Sequence, residues 1–193
     1  MSEYVPVPRR RRTGHTDYRA RRKAVGSHGI LLAVRISGKN VSAQFIKPAV
    51  HGDIVLSSSH SRELRRLGWK GSLKSTPACY LLGLMAAKKA QGKGVSDAFL
   101  YNGVAPFVRG SRIAAFAKGV SDAGLKLPVS EEVFPREERI NGTVIAGYAS
   151  VLSKEKKNEY TKRFSSLLKL GLKPEDYASH YAEVKQTITG GKR

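Results

Sequence analysis

The spacing of hydrophobic and polar positions changes along this chain, and each change marks a different kind of element. From Ile30 to Ser37 the run ILLAVRIS is apolar and β-branched, and after Gly38, Lys39 and Asn40 the pattern resumes as VSAQFIKP. Two such runs joined by turn residues predict a β-hairpin. In the second run a period of two puts Val41, Ala43, Phe45 and Lys47 on one face and Ser42, Gln44 and Ile46 on the other. A turn at His51, Gly52 and Asp53 leads to IVLSSSHS, a third strand that completes an antiparallel meander. Between Arg62 and Lys74, Gly68 and Gly71 exclude a long helix, so this stretch predicts a helical turn followed by an ordered loop.

Thr76 and Pro77 then announce a helix, with Thr76 as the capping acceptor, running to Gln91 and stopping at Gly92 and Gly94. Ala78, Leu81, Leu82 and Met85 follow helical spacing, and Leu84 widens the apolar side enough for burial against a sheet. Asp97 to Asn102 predicts a fourth strand. A second core helix starts at Ser111, carries the stripe Ile113, Phe116, Ala117 and Val120, and closes at Gly124. A meander followed by alternating helices and strands gives an α/β fold: a mixed sheet, antiparallel first and parallel later, with flanking helices. INGTVIAGYASVL reads as a last strand or a helix, with the helix favoured. Beyond Ser153 two helices are expected, Lys154 to Leu170 and Pro174 to Ile188, the second with a narrow seam of Tyr177, Tyr181, Val184 and Ile188. A two-helix appendage buries little alone and is expected to dock outside the core. The expected organisation is an extended basic arm over 1–28, an α/β core over 29–150 and a C-terminal helical extension over 151–193.

Charge narrows the partner. Lys and Arg number 35 against 15 Asp and Glu, giving +20 and a sequence pI near 10.3. The partner is expected to be strongly anionic. Nucleic acid fits better than a membrane, because no apolar run approaches the ~20 residues of a span. One cysteine, Cys79, excludes a disulfide within the chain and a cysteine-based zinc site, and suits a reducing, cytoplasmic setting. The basic charge is densest in RRRRTGHTDYRARRK, Arg9 to Lys23. Up to His28 there are eight Lys/Arg against two acids, Glu3 and Asp17. The candidates here are Arg9, Arg10, Arg11, Arg12, Arg19, Arg21, Arg22 and Lys23 for phosphate. His15 and Tyr18 offer rings for unpaired bases, and Thr13 offers a hydroxyl. The segment lacks the Ser-rich amphipathic character of a mitochondrial transit peptide, while a nuclear signal stays open. A second basic block adds His60, Arg62, Arg65, Arg66, Lys70 and Lys74, with Trp69 read first as packing and second as a stacking platform.

Candidate catalytic chemistry is sparse. Before Glu131 the only acids are Glu3, Asp17, Asp53, Glu63, Asp97 and Asp122, most at turns or caps. A magnesium nuclease needs convergent carboxylates. Glu131, Glu132, Glu137 and Glu138 read as a solvated acidic face, and His60 among serines lacks the acid of a catalytic pair. GKGVS, Gly92 to Ser96, lacks the ending of a phosphate loop. No metal or cofactor is expected.

Four long blocks carry a resemblance: RRRRTGHTDYRARRKA, SHSRELRRLGWKGSLKSTPACYLLGL, GSRIAAFAKGVSDAGLKLP and SEEVFPREERINGTVIAGYA. In this order, over most of positions 9 to 149, the chain resembles the archaeal and eukaryotic form of the eighteenth large-subunit ribosomal protein, the binder of 5S ribosomal RNA. The resemblance implies a three-layer ribonuclease H-like fold without nuclease activity, a monomer in the central protuberance, and contacts to 5S rRNA and 23S rRNA. It further implies the fifth large-subunit ribosomal protein as a neighbour, an arm that threads RNA, and an RNA-facing block from Ser59 to Lys74. Two other classes remain as alternatives: a metal-dependent nuclease on the same fold and a nonspecific nucleic-acid architectural protein.

Overall fold

A computed structural model describes residues 5–190. Strands β1 (Leu31–Ile36), β2 (Val41–Lys47), β3 (Ile54–His60) and β4 (Phe99–Tyr101) form one sheet in the order β3-β2-β1-β4. The meander is antiparallel, with Ile36 opposite Val41 and Leu31 opposite Ile46, and β4 joins β1 in parallel, Leu31 opposite Phe99. The hairpin turn closes through Ser37, whose N–H donates to the Asn40 carbonyl at 2.8 Å while its hydroxyl accepts from the Asn40 N–H at 3.1 Å. The expected meander followed by a parallel strand is thus present. β4 is shorter than Asp97–Asn102, because Asp97 pairs only as an isolated bridge with Lys126 on the far side.

Period-two alternation sends Leu32, Val34, Val41, Ala43 and Phe45 into the main core, and Leu31, Ala33 and Ile46 into a small cluster on the opposite face. Lys47, at the strand's end beyond a register shift between Phe45 and Ile46, keeps its ammonium in water. Over the main face lie α4 (Thr76–Gln91) and α5 (Arg112–Asp122), after the single turn α3 (Glu63–Arg66). The cap of α4 is Ser75, whose hydroxyl accepts from the Ala78 N–H, so Thr76 is the first helical residue and not the cap. α4 and α5 touch backbone to backbone. A Cβ on Gly83 would lie 2.3 Å from the Phe116 carbonyl oxygen, and one on Gly119 would lie 2.3 Å from that of Tyr80.

The stretch from Glu137 on is helical: α6 (Glu137–Asn141) and α7 (Thr143–Glu155) are separated by Gly142 at φ +83°. A continuous α7 crosses position 150, where the sequence pattern suggests a boundary. The helix expected over Lys154–Leu170 is broken at Lys156 and Phe164 into α8 (Lys157–Arg163) and α9 (Ser165–Lys169). A short turn at Pro174–Asp176 leads to α10 (Tyr177–Thr189). The seam Tyr177, Tyr181, Val184 and Ile188 is buried in the main core, which corrects the expectation that these helices dock elsewhere. Burying side chains the size of Val184 and Ile188 stabilises by about 1.5–3 kcal/mol each. Lys88 finishes the contact by donating to the carbonyls of Ile188 (2.8 Å) and Thr189 (2.7 Å) at the end of α10.

The N-terminal basic segment is not extended. Arg9–Arg12 forms α1 and Tyr18–Gly26 forms α2, the latter capped by Asp17, whose carboxylate accepts from the N–H groups of Arg19 (2.9 Å) and Ala20 (3.0 Å). The local reason is the Asp17 cap and a turn at Gly14, φ +68°, that separates the two helices. Ala24 packs on the small cluster of Leu31, Ala33 and Ile46, so α2 lies against the sheet face opposite α4.

Candidate nucleic-acid interface

Two basic regions emerge, one at each end of the edge strand β3. At its start, Asp53 accepts from both terminal nitrogens of Arg21 and ties α2 to the core, the Nη1 bond measuring 3.0 Å. That hydrogen bond, opposed by partial burial, holds the Arg21 guanidinium even more firmly protonated than usual. Arg21 is therefore an anchor of the arm. Arg9, Arg10, Arg11, Arg12, Arg19, Arg22 and Lys23 are exposed, and none forms an ion pair with a carboxylate among the described residues. His15 and Tyr18 are exposed as well, while the exposed Thr13 donates its hydroxyl to the Arg9 carbonyl at 2.9 Å.

Between arm and sheet lies a cleft of about 410 Å³ into which Arg10, His15, Tyr18, Arg21, Arg35 and Tyr101 project, with Asp53 its one carboxylate. Arg35 and Tyr101 were not among the residues expected from sequence. The available signal was Arg35 itself, a cation within the apolar run ILLAVRIS, on the same strand face as Leu31 and Ala33.

The other end of β3 carries the second block. Arg62, Arg66, Lys70 and Lys74 are exposed, again without a carboxylate partner among the described residues. Arg65 is exposed too, but its guanidinium donates to the carbonyls of Trp69 (3.1 Å) and Lys70 (3.2 Å) and so braces the loop. His60 is half-buried, and its Nδ1 accepts from the Arg62 N–H at 3.1 Å, which makes it part of the turn. Trp69 cannot serve as a base platform. It is 1% exposed, its indole N–H donates to the Ser72 carbonyl, its ring meets Tyr177 edge-on, and it stacks on His180 at 5.3 Å. Its place among the expected RNA contacts is corrected to packing. β3 has seven residues, so at about 3.3 Å per residue it spans about 20 Å between the Asp53 anchor and the start of the second block.

Among the described residues no group of three or more His, Cys, Asp or Glu is arranged to hold a metal, and no helix is long and apolar enough to cross a membrane. Cys79 is buried, and burial pushes its thiol up to about 12.

Residues 2–102, which include the arm, the whole sheet and α4, match the family described as ribosomal large subunit proteins 60S L5 and 50S L18. The chain belongs to this family. It is 44% identical over 184 residues to the large ribosomal subunit protein uL18 of Thermofilum pendens, covering 95% of this chain and 93% of that one. It is likewise 44% identical over 180 residues to the uL18 protein of Methanothermobacter thermautotrophicus, covering 93% of this chain and 92% of that one. Likeness to these family members extends into the C-terminal helices, whose seam completes the core.

Proposed function

We propose that this chain is a structural constituent of the large ribosomal subunit, working in the cytoplasm without catalysis. It binds 5S rRNA and helps hold it against 23S rRNA in the central protuberance, beside neighbours that include the fifth large-subunit protein. The observation that carries this reading is the set of exposed arm cations without carboxylate partners among the described residues, in a chain of this ribosomal family. Arg9–Arg12, Arg19, Arg22 and Lys23 neutralise phosphates and release counterions, while His15 and Tyr18 meet unpaired bases. Arg21, fixed to Asp53, sets where the arm leaves the sheet. Arg62, Arg66, Lys70 and Lys74 form a second phosphate-contacting region at the far end of β3.

The test is competition at one stated salt concentration between 5S rRNA, an unrelated RNA of equal length and duplex DNA. This reading predicts that 5S rRNA wins by at least about 10³-fold, the lower end of the margin by which specific nucleic-acid complexes exceed nonspecific ones. Equal competition would identify a nonspecific coating protein instead. Cleavage of the RNA on addition of magnesium or manganese would identify a nuclease.

A further inference from the structure

The C-terminal helices leave a groove against the loop that joins α3 to α4. Its floor comes from Val144, Ile145 and Tyr148 of α7 and from Phe164, Leu167 and Leu170 around α9, over a volume of about 510 Å³. Val144 (52%), Tyr148 (43%) and Leu170 (44%) are well exposed for residues of their size. Contiguous apolar surface of this kind, bordered by charge, marks an interaction site. Arg65, Lys70 and Arg163 line the groove as well, and no carboxylate does.

The walls decide between occupants. A nucleobase needs an open aromatic face, yet Arg163 already lies over the Tyr148 ring at 5.7 Å, Phe164 meets Tyr148 edge-on, and Tyr177 is buried against Trp69. The exposed aliphatic side chains are Val144 and Leu170, on either side of the partly covered Tyr148 ring. A second copy of a chain at +20 would bring like charge to a cationic rim. We propose that this groove docks a segment of another protein that carries apolar side chains flanked by Asp or Glu. The apolar side chains enter between α7 and α9, and the carboxylates meet Arg163 and the exposed Arg65.

The test rests on the ribosomal reading, since it uses assembled large subunits, so 5S rRNA binding by the free variant proteins is measured alongside. Leu170→Cys supplies a thiol at the groove, and the buried Cys79 stays unlabelled by a benzophenone maleimide. After assembly and irradiation, the expected adduct is a protein peptide with at least two carboxylates beside apolar residues. Adding Val144→Glu, at an exposed position, lowers its yield at least about tenfold, as removal of a central apolar anchor does. Adducts to rRNA, to a second copy of this chain or to a basic peptide would overturn the proposal. So would the absence of any light-dependent adduct, or a yield indifferent to Val144→Glu. Normal 5S rRNA affinity with no adduct defeats only the groove, whereas loss of specific 5S rRNA binding by the unsubstituted chain defeats the ribosomal reading.

Discussion

His180 shows how one buried polar group ties the C-terminal helix to the loop after α3. Its ring lies nearly parallel to Trp69, and its Nε2 accepts from the Lys70 N–H at 3.0 Å, which requires the neutral imidazole. Burial lowers its pKa below the usual 6.5, the Lys70 charge lowers it further, and Glu183 at 3.9 Å opposes both. A depressed value in the folded state means the unfolded chain binds the proton more readily. The contribution to stability is therefore complete above about pH 6.5 and is lost as pH falls through the folded value. In His180→Gln, whose amide oxygen can accept but does not titrate, the drop in thermal midpoint between about pH 7 and pH 5 should be smaller than in the unsubstituted chain. Equal drops in scanning calorimetry would remove His180 from this account.

At the scale of elements, the α4–α5 crossing is the least tolerant contact. Gly83 and Gly119 each occupy a place where a Cβ would collide with backbone rather than with a yielding side chain. Gly83→Ala is expected to destabilise by about 1–3 kcal/mol or more, as overpacking does, despite alanine's better helix propensity. Urea unfolding that showed no loss would contradict the crossing. The meander is readable from sequence because strand periodicity and turn residues are local properties. A glycine inside the apolar helix is visible too, but not the α5 backbone lying against it. The Tyr177–Ile188 seam is equally plain, yet a stripe states that a face is buried without naming its partner. Here that partner is α4, with Tyr177 seated where a Cβ on Gly71 or Gly142 would stand. The arm looks extended from sequence because the dense charge of Arg9–Arg12 masks the helix signal of the Asp17 cap.

For the whole molecule, composition gives the sign of the partner, and the fold sets where that sign is displayed. The basic blocks of Arg9–Lys23 and Arg62–Lys74, separated in sequence by the meander, reach opposite ends of β3, one through the Asp53 anchor and the other directly after His60. Trp69 leaves the candidate surface for the core, while Arg35 and Tyr101 join the arm at its cleft. Folding also turns the C-terminal helices from an appendage into the last layer over α4. Their outer side is left to carry the apolar groove.

The most direct test of the central claim is the salt dependence of 5S rRNA affinity, compared between the full chain and a variant with Arg9, Arg10, Arg11, Arg12, Arg19, Arg22 and Lys23 all replaced by alanine. Arg21 is retained in that variant, so the Asp53 anchor stays in place. Binding is expected to weaken and the slope of log affinity against log salt to become shallower, by roughly 0.7–0.9 for each phosphate no longer neutralised. The fold should remain intact by circular dichroism. An unchanged slope in a folded variant would contradict the central claim.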